Sequence, residues 1–198
     1  MSGIVGGLNK RGSGLILSSA TDGQVLTATG AGMSAGFEAA AGGGKCLQVK
    51  YTVNSTYSSA TNVPMPYDDT IPEITDGITA GVDTAITCAS TSNIIVIQGI
   101  INGATNSSGD MSYALFQDST TNALAAWKHE SNNDTVNHYD VFPFIHVMLA
   151  GTTSETTFRV RLGAPSGTST TYVNGGQASG RNFGGVARSI LTVTEYTP

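Results

Sequence analysis

From Lys45 onward the chain is a series of short apolar-polar alternations broken by polar loops. Leu47, Val49, Tyr51 and Val53 alternate with Gln48, Lys50, Thr52 and Asn54, a period of two that predicts a half-buried strand. Phe158, Val160 and Leu162 alternate with Arg159 and Arg161 in the same way. Ile94, Ile95, Val96 and Ile97 do not alternate. Four β-branched residues in a row favour a pleated surface, and the run predicts a central strand over 94–101 buried on both faces. In an antiparallel sandwich one face of a strand normally meets solvent, so something must cover the second face. Further strands are predicted at Thr84–Cys88, Met111–Gln117, Asn122–Lys128, His138–Leu149, Thr171–Val173 and Ser189–Tyr196. The segments 54–62, 68–81, 102–110, 129–137 and 163–180 read as loops, rich in Asn, Ser, Thr, Gly and Asp. Pro64 and Pro66 hold Val63–Tyr67 extended. With no heptads and almost no helical periodicity, residues 45–198 are expected to form one all-β, antiparallel, jelly-roll-like sandwich.

The strand at His138–Leu149 has two apolar faces. Tyr139, Val141, Ile145, Val147 and Leu149 form one; Phe142, Phe144 and Met148 form the other, around His146. One sandwich buries one of them. The expectation places Phe142, Phe144, His146 and Met148 on the face that other copies cover, in a homotrimer.

Residues 1–44 follow a different rule. They hold twelve of the 25 glycines, no proline and one aromatic, Phe37, with scattered apolar groups such as Ile4, Leu8, Ile16 and Leu26. Such a segment buries too little to fold alone. It is expected to be an extended arm that orders against a partner surface. Gly30 to Gly36 superficially resembles a dinucleotide loop, but the spacing differs by one and Gly42-Gly-Gly44 breaks any following helix.

Composition narrows the function. Charged residues are 12%, about half the usual ~25%. The net charge is −5 and the nine Lys and Arg are scattered, so no nucleic-acid footprint is visible. No apolar run approaches membrane-span length, and the N-terminus lacks the apolar region of a signal peptide, so synthesis and first folding in a cytoplasm are expected. Cys46 and Cys88 read as small buried residues, with a disulfide or a metal site as the other possibilities.

Candidate chemistry is sparse. His138 and Asp140 lie two apart with serines nearby, but no Gly-x-Ser-x-Gly elbow orients a nucleophile. His138 and His146 are about 26 Å apart along a strand, too far for one metal; three copies of His146 around a trimer axis are the other arrangement weighed. Asp68, Asp69, Glu73 and Asp76 match no calcium-loop spacing and read as solvated turn carboxylates. Trp127 reads as a core or rim anchor, with sugar stacking as the alternative. No catalytic residue, metal or cofactor is assigned. Asn106, Asn132, Asn133 and Tyr172, on long polar loops suited to adaptable hydrogen bonding, are the candidate receptor-binding tips.

Three stretches carry a resemblance. Thr21-Asp-Gly-Gln-Val-Leu-Thr-Ala-Thr-Gly-Ala-Gly32 with Gly36-Phe-Glu38 resembles a segment found before the distal domain of bacteriophage tail fibres. Ser2-Gly-Ile-Val-Gly-Gly-Leu-Asn-Lys-Arg-Gly-Ser-Gly14 resembles the start of small marine-phage virion proteins. Asp69-Thr-Ile-Pro72, Ala114 to Ala126, Ala150 to Arg161, Phe183-Gly-Gly-Val-Ala187 and Ser189 to Tyr196 together are similar to the C-terminal sandwich of phage fibres. The resemblance implies a non-enzymatic virion protein. It also implies a trimeric jelly-roll head akin in shape to complement and tumour-necrosis-factor heads. Residues 1–44 would attach it to other virion proteins, and the head would bind a host surface glycan or protein. A capsid decoration or head-fibre protein is the alternative. A polysaccharide-degrading spike would need paired acids across a groove, whereas the acids here sit in turns.

Overall fold

The computed structural model describes residues 24–28, 35–39, 44–106, 110–130, 138–177 and 180–198. The chain divides into two units, Met1–Gly43 and Gly44–Pro198. The first contains a two-stranded antiparallel hairpin, β1 (Gln24–Ala28) and β2 (Ala35–Ala39), with Gln24 opposite Ala39.

The second unit is an antiparallel sandwich of the jelly-roll-like kind. Its strands are β3 (Cys46–Asn54), β4 (Ser58–Thr61), β5 (Ile78–Thr79), β6 (Thr84–Thr87), β7 (Ile94–Thr105), β8 (Met111–Gln117) and β9 (Ala125–His129). They continue as β10 (His138–Leu149), β11 (Glu155–Gly163), β12 (Thr170–Val173), β13 (Gly175–Gly176), β14 (Gly180–Arg181) and β15 (Ser189–Tyr196). One sheet runs β3-β15-β7-β12-β4, with β10 along the other edge of β7; the second runs β5-β11-β8-β9, with β6 also on β11. β13 and β14 form a small separate hairpin.

β7 is the hub because β10 pairs with it from Ile94 to Thr105, while β15 and then β12 share its opposite edge. Ile95, Ile97 and Ile101 point into the core and are buried, as is Phe142 of β10 opposite Ile101. Leu191 and Val193 of β15 join them, and Leu115, Phe158, Val160 and Leu162 answer from the second sheet.

Three elements depart from the sequence reading. β7 is not buried on both faces: Ile94 and Val96 are half-buried and Ile100 is exposed. β7 also continues through Asn102-Gly-Ala-Thr105, which reads as loop by composition. The polar groups there are buried but partnered. The Asn102 amide N–H donates to Ser189 Oγ at 3.0 Å, its Nδ2 donates to the Arg188 carbonyl at 2.6 Å, and its carbonyl accepts from Asn174 N at 2.9 Å. Finally, Ser58–Thr61 is a strand rather than loop, paired to β12.

A further segment covers a sheet face. The strap 62–77 crosses the outside of β8, so Met111, Tyr113 and Leu115 enter the main core while Ala114 and Phe116 pack with Met65 in a second, smaller one. Gly77, at φ 63, is required at the strap's return, because a Cβ there would sit 2.5 Å from the Leu162 carbonyl oxygen. On the other sheet, Tyr172 of β12 sits beside Ala104, its cross-strand partner, and stacks with Tyr57 at 6.3 Å. Both Tyr172 and Ala104 are buried.

The far end of β15 is pinned by a buried carboxylate. Glu195 accepts from Gln48 Nε2 at 2.6 Å, Ala89 N at 2.7 Å and Asn93 Nδ2 at 2.6 Å, tying β3 and the β6–β7 turn to β15. Burial alone would raise this carboxyl, but the donors outweigh it and hold it below the ordinary glutamate value. A depressed folded value means that this stabilisation is complete above the unfolded pKa, ~4.3, and is lost as pH falls through the folded value. Glu195→Gln turns an amide towards these donors. It is expected to cost about 1–3 kcal/mol at neutral pH and to flatten the acid limb of a stability-against-pH curve. Denaturant titrations at neutral and acid pH measure both effects; equal loss for wild type and variant on acidification would remove Glu195 from the account.

Candidate functional site

The site is a sheet face. β3, β15, β7 and β10 lie side by side, and the outward side chains of β3 and β10 are exposed while those of β15 and β7 between them range from exposed to, at Thr194, buried. The register places Val53, Ile190, Ile100 and Pro143 in one row, Tyr51, Thr192, Gln98 and Ile145 in the next, and Val49, Thr194, Val96 and Val147 in a third. Leu149 extends the patch beyond the third row. No Asp, Glu, Lys or Arg occupies any of these positions. Tyr51 is 69% exposed, Ile145 60% and Leu149 61%.

Two strands built this face by pointing opposite to their sequence reading. In β3 the polar alternates turn inward. Gln48 Nε2 donates to the Thr87 carbonyl at 2.8 Å, Thr52 Oγ1 to Asp83 at 2.8 Å and Asn54 Nδ2 to Ala80 at 2.9 Å. The segment opposite β3 offers carbonyls rather than apolar side chains, so polar groups face it and Leu47, Val49, Tyr51 and Val53 face out.

In β10 the expected interface residues are core residues. Phe142 is 1% exposed and Phe144 7%; Met148 is partly buried against the same cluster. Phe142 packs 5.2 Å from the Tyr113 ring and Phe144 5.0 Å from Trp127, both on the second sheet. The larger rings fill the space between the sheets, and the smaller β-branched residues are left outside. His146, opposite Ile97, shares the inward side, so three copies of it do not meet across the uncovered face.

A shallow apolar cleft of about 270 Å³ marks the centre of the face, lined by Gln98, Gly99, Ile100, Phe144, Ile190 and Thr192. Gly99 is required there: a Cβ would lie 2.6 Å from the Ile190 carbonyl oxygen and 2.8 Å from the Phe144 ring.

The candidate receptor tips are distributed differently. Tyr172 is not on a loop tip but buried within β12. Asn106 is half-buried and spent on bracing, its Oδ1 accepting from Thr170 N at 2.7 Å. Asn132 and Asn133 lie outside the described residues. Asp140 pairs with His129 of β9 at 3.3 Å. Trp127 stacks on Tyr113 at 5.4 Å as an anchor at the core's rim. Two acids of the strap cap its turns, Asp68 Oδ1 accepting from Thr70 N at 2.9 Å and Asp76 Oδ2 from Glu73 N at 2.8 Å. Cys88 is buried as expected, Cys46 is exposed, and the two are not bonded. Among the described residues no three His, Cys, Asp or Glu side chains converge on a point, and no helix is long and apolar enough to cross a membrane.

No family model and no curated protein matches the chain. Among solved structures it is similar in outline to Eiger TNF from S. frugiperda, at 10% identity over 74% of this chain and 90% of that one, with a TM-score of 0.43. It is similar also to infectious bursal disease virus VP2 in its subviral particle, at 11% identity over 91% and 46%, TM-score 0.30. A third likeness is to latent PorU from Porphyromonas gingivalis, at 7% identity over 75% and 13%, TM-score 0.33. These likenesses are remote and assign no role to this chain.

Proposed function

We propose that this chain is a non-enzymatic structural protein of a phage particle, a homotrimeric fibre head whose residues 1–44 hold it to other virion proteins and whose loops meet the host surface. The observation that carries the reading is the uncovered face of β3, β15, β7 and β10. Elsewhere the chain spends a whole segment on covering a sheet, the strap over β8. Here it leaves Val49, Tyr51, Val53, Ile145, Val147 and Leu149 in water. Each such side chain is worth about 1.5–3 kcal/mol on full burial, and a contiguous patch of this kind marks an interface. Closed cyclic symmetry covers it without open-ended growth. The virion setting, and three copies rather than two, rest on the sequence resemblance to phage fibres.

Electron microscopy of the parent particle labelled at this protein tests the setting. Label on the tail in clusters of three is expected. Label spread over the shell would favour capsid decoration instead, and an unlabelled particle would end the reading.

A further inference from the structure

We propose that Gln98, with Thr192 beside it, selects the geometry in which copies of this chain meet across the uncovered face. The inference rests on the trimer reading and names the residue that fixes its stoichiometry.

The occupant of the face follows from its own surface. It carries a hole, the 270 Å³ cleft over Gly99, and protruding side chains, Tyr51, Ile145 and Leu149, on the same side of one sheet. It carries no charge, on a chain whose net charge is −5, so a charged partner finds nothing to pair with. A second copy brings the same uncharged, apolar surface with its own holes and knobs.

Apolar contact alone does not choose among arrangements. Flat sheet faces slid or rotated against one another bury similar area, and hydrophobic burial has no direction. Gln98 breaks that degeneracy. It is exposed in the single chain, sits in the central strand, and has Thr192 of β15 and Ile145 of β10 as cross-strand neighbours. Its amide is the only one in the three rows, in the middle row at the cleft's rim. When the face is covered the amide leaves water, and its donors and acceptor must then be matched. An amide carries both, so copies of Gln98 pair with one another around a closed ring, with the Thr192 hydroxyl alongside. Arrangements that leave the amide against Val96, Val147 or Leu149 are penalised. A single buried polar side chain fixes register and copy number in coiled coils by the same means.

Native mass spectrometry and light scattering on the full chain at micromolar concentration test this, with Gln98→Leu and the length-matched Gln98→Met. Neither variant alters a core contact, and circular dichroism verifies the fold. Wild type is expected as one mass, three chains. Both variants are expected to stay associated but to lose the single peak, splitting between the trimer and at least one other stoichiometry. A wild-type trimer with both variants still purely trimeric overturns the role of Gln98 and leaves the trimer reading intact. Variants that become purely monomeric also overturn it, since the amide would then supply the association itself. A monomeric wild type overturns the trimer reading first.

Discussion

Replacing Ile145 by aspartate is expected to turn a trimer of 20.3 kDa chains into folded monomers. Ile145 stands in the middle row of the uncovered face, between Gln98 and the free side of β10, and is 60% exposed in the single chain. In the monomer a carboxylate there stays in water, so the head loses little stability. In the trimer the same carboxylate is buried without a cation, because the face has no Lys or Arg. An unpaired buried charge costs several kcal/mol, and the cost recurs at each of the three copies. Light scattering reads the mass and circular dichroism the fold. Phe144→Asp is the contrasting variant. Its ring lies 5.0 Å from Trp127 inside the sandwich, so aspartate there unfolds the head instead of parting folded chains. An Ile145→Asp protein that keeps the parent mass would move the interface off this sheet.

The sequence shows that β10 has two apolar faces but not which one is inward. Period two assigns residues to sides, and only the opposing sheet decides between them. The clue lies in volume: Phe142 and Phe144 outsize Val141, Ile145 and Val147, and the gap between the sheets accepts the rings beside Tyr113 and Trp127. β3 misleads more thoroughly, because alternation is read with the apolar side inward, whereas its neighbours present the carbonyls of Ala80, Asp83 and Thr87. Two strands turned outward make one surface, and that sum is visible only once the register sets β3 and β10 on either side of β15 and β7. That β7 carries a second apolar side was legible earlier, in the unalternating run Ile94–Ile97. The extension of β7 through Asn102–Thr105 was not, since its partners Arg188 and Ser189 lie more than eighty residues away. The predicted limits of β8, β10 and β15 coincide with the observed ones, Met111–Gln117, His138–Leu149 and Ser189–Tyr196.

Phe142→Ala is expected to cost the head about 3–5 kcal/mol, the range for removing a fully buried ring. Phe142 is 1% exposed, packs 5.2 Å from Tyr113 and has the His129 ring edge-on at 5.4 Å. It therefore joins β10 of one sheet to β8 and β9 of the other, at a place where Pro143 already denies β10 a backbone donor and the Pro143 carbonyl accepts from Tyr113 at 3.1 Å. A cavity here has rings on several sides, and rings collapse poorly into space left by another ring. Assembly complicates the measurement, since binding of copies adds apparent stability. The comparison therefore belongs in the Ile145→Asp background, where folding is separated from association. In that background Val141→Ala, on the outward side of the same strand, should change stability by no more than about 0.5 kcal/mol. Urea titrations of the two variants read the difference directly. Equal losses at 141 and 142 would mean that β10 does not present the two sides described, and the uncovered face would lose one of its four strands.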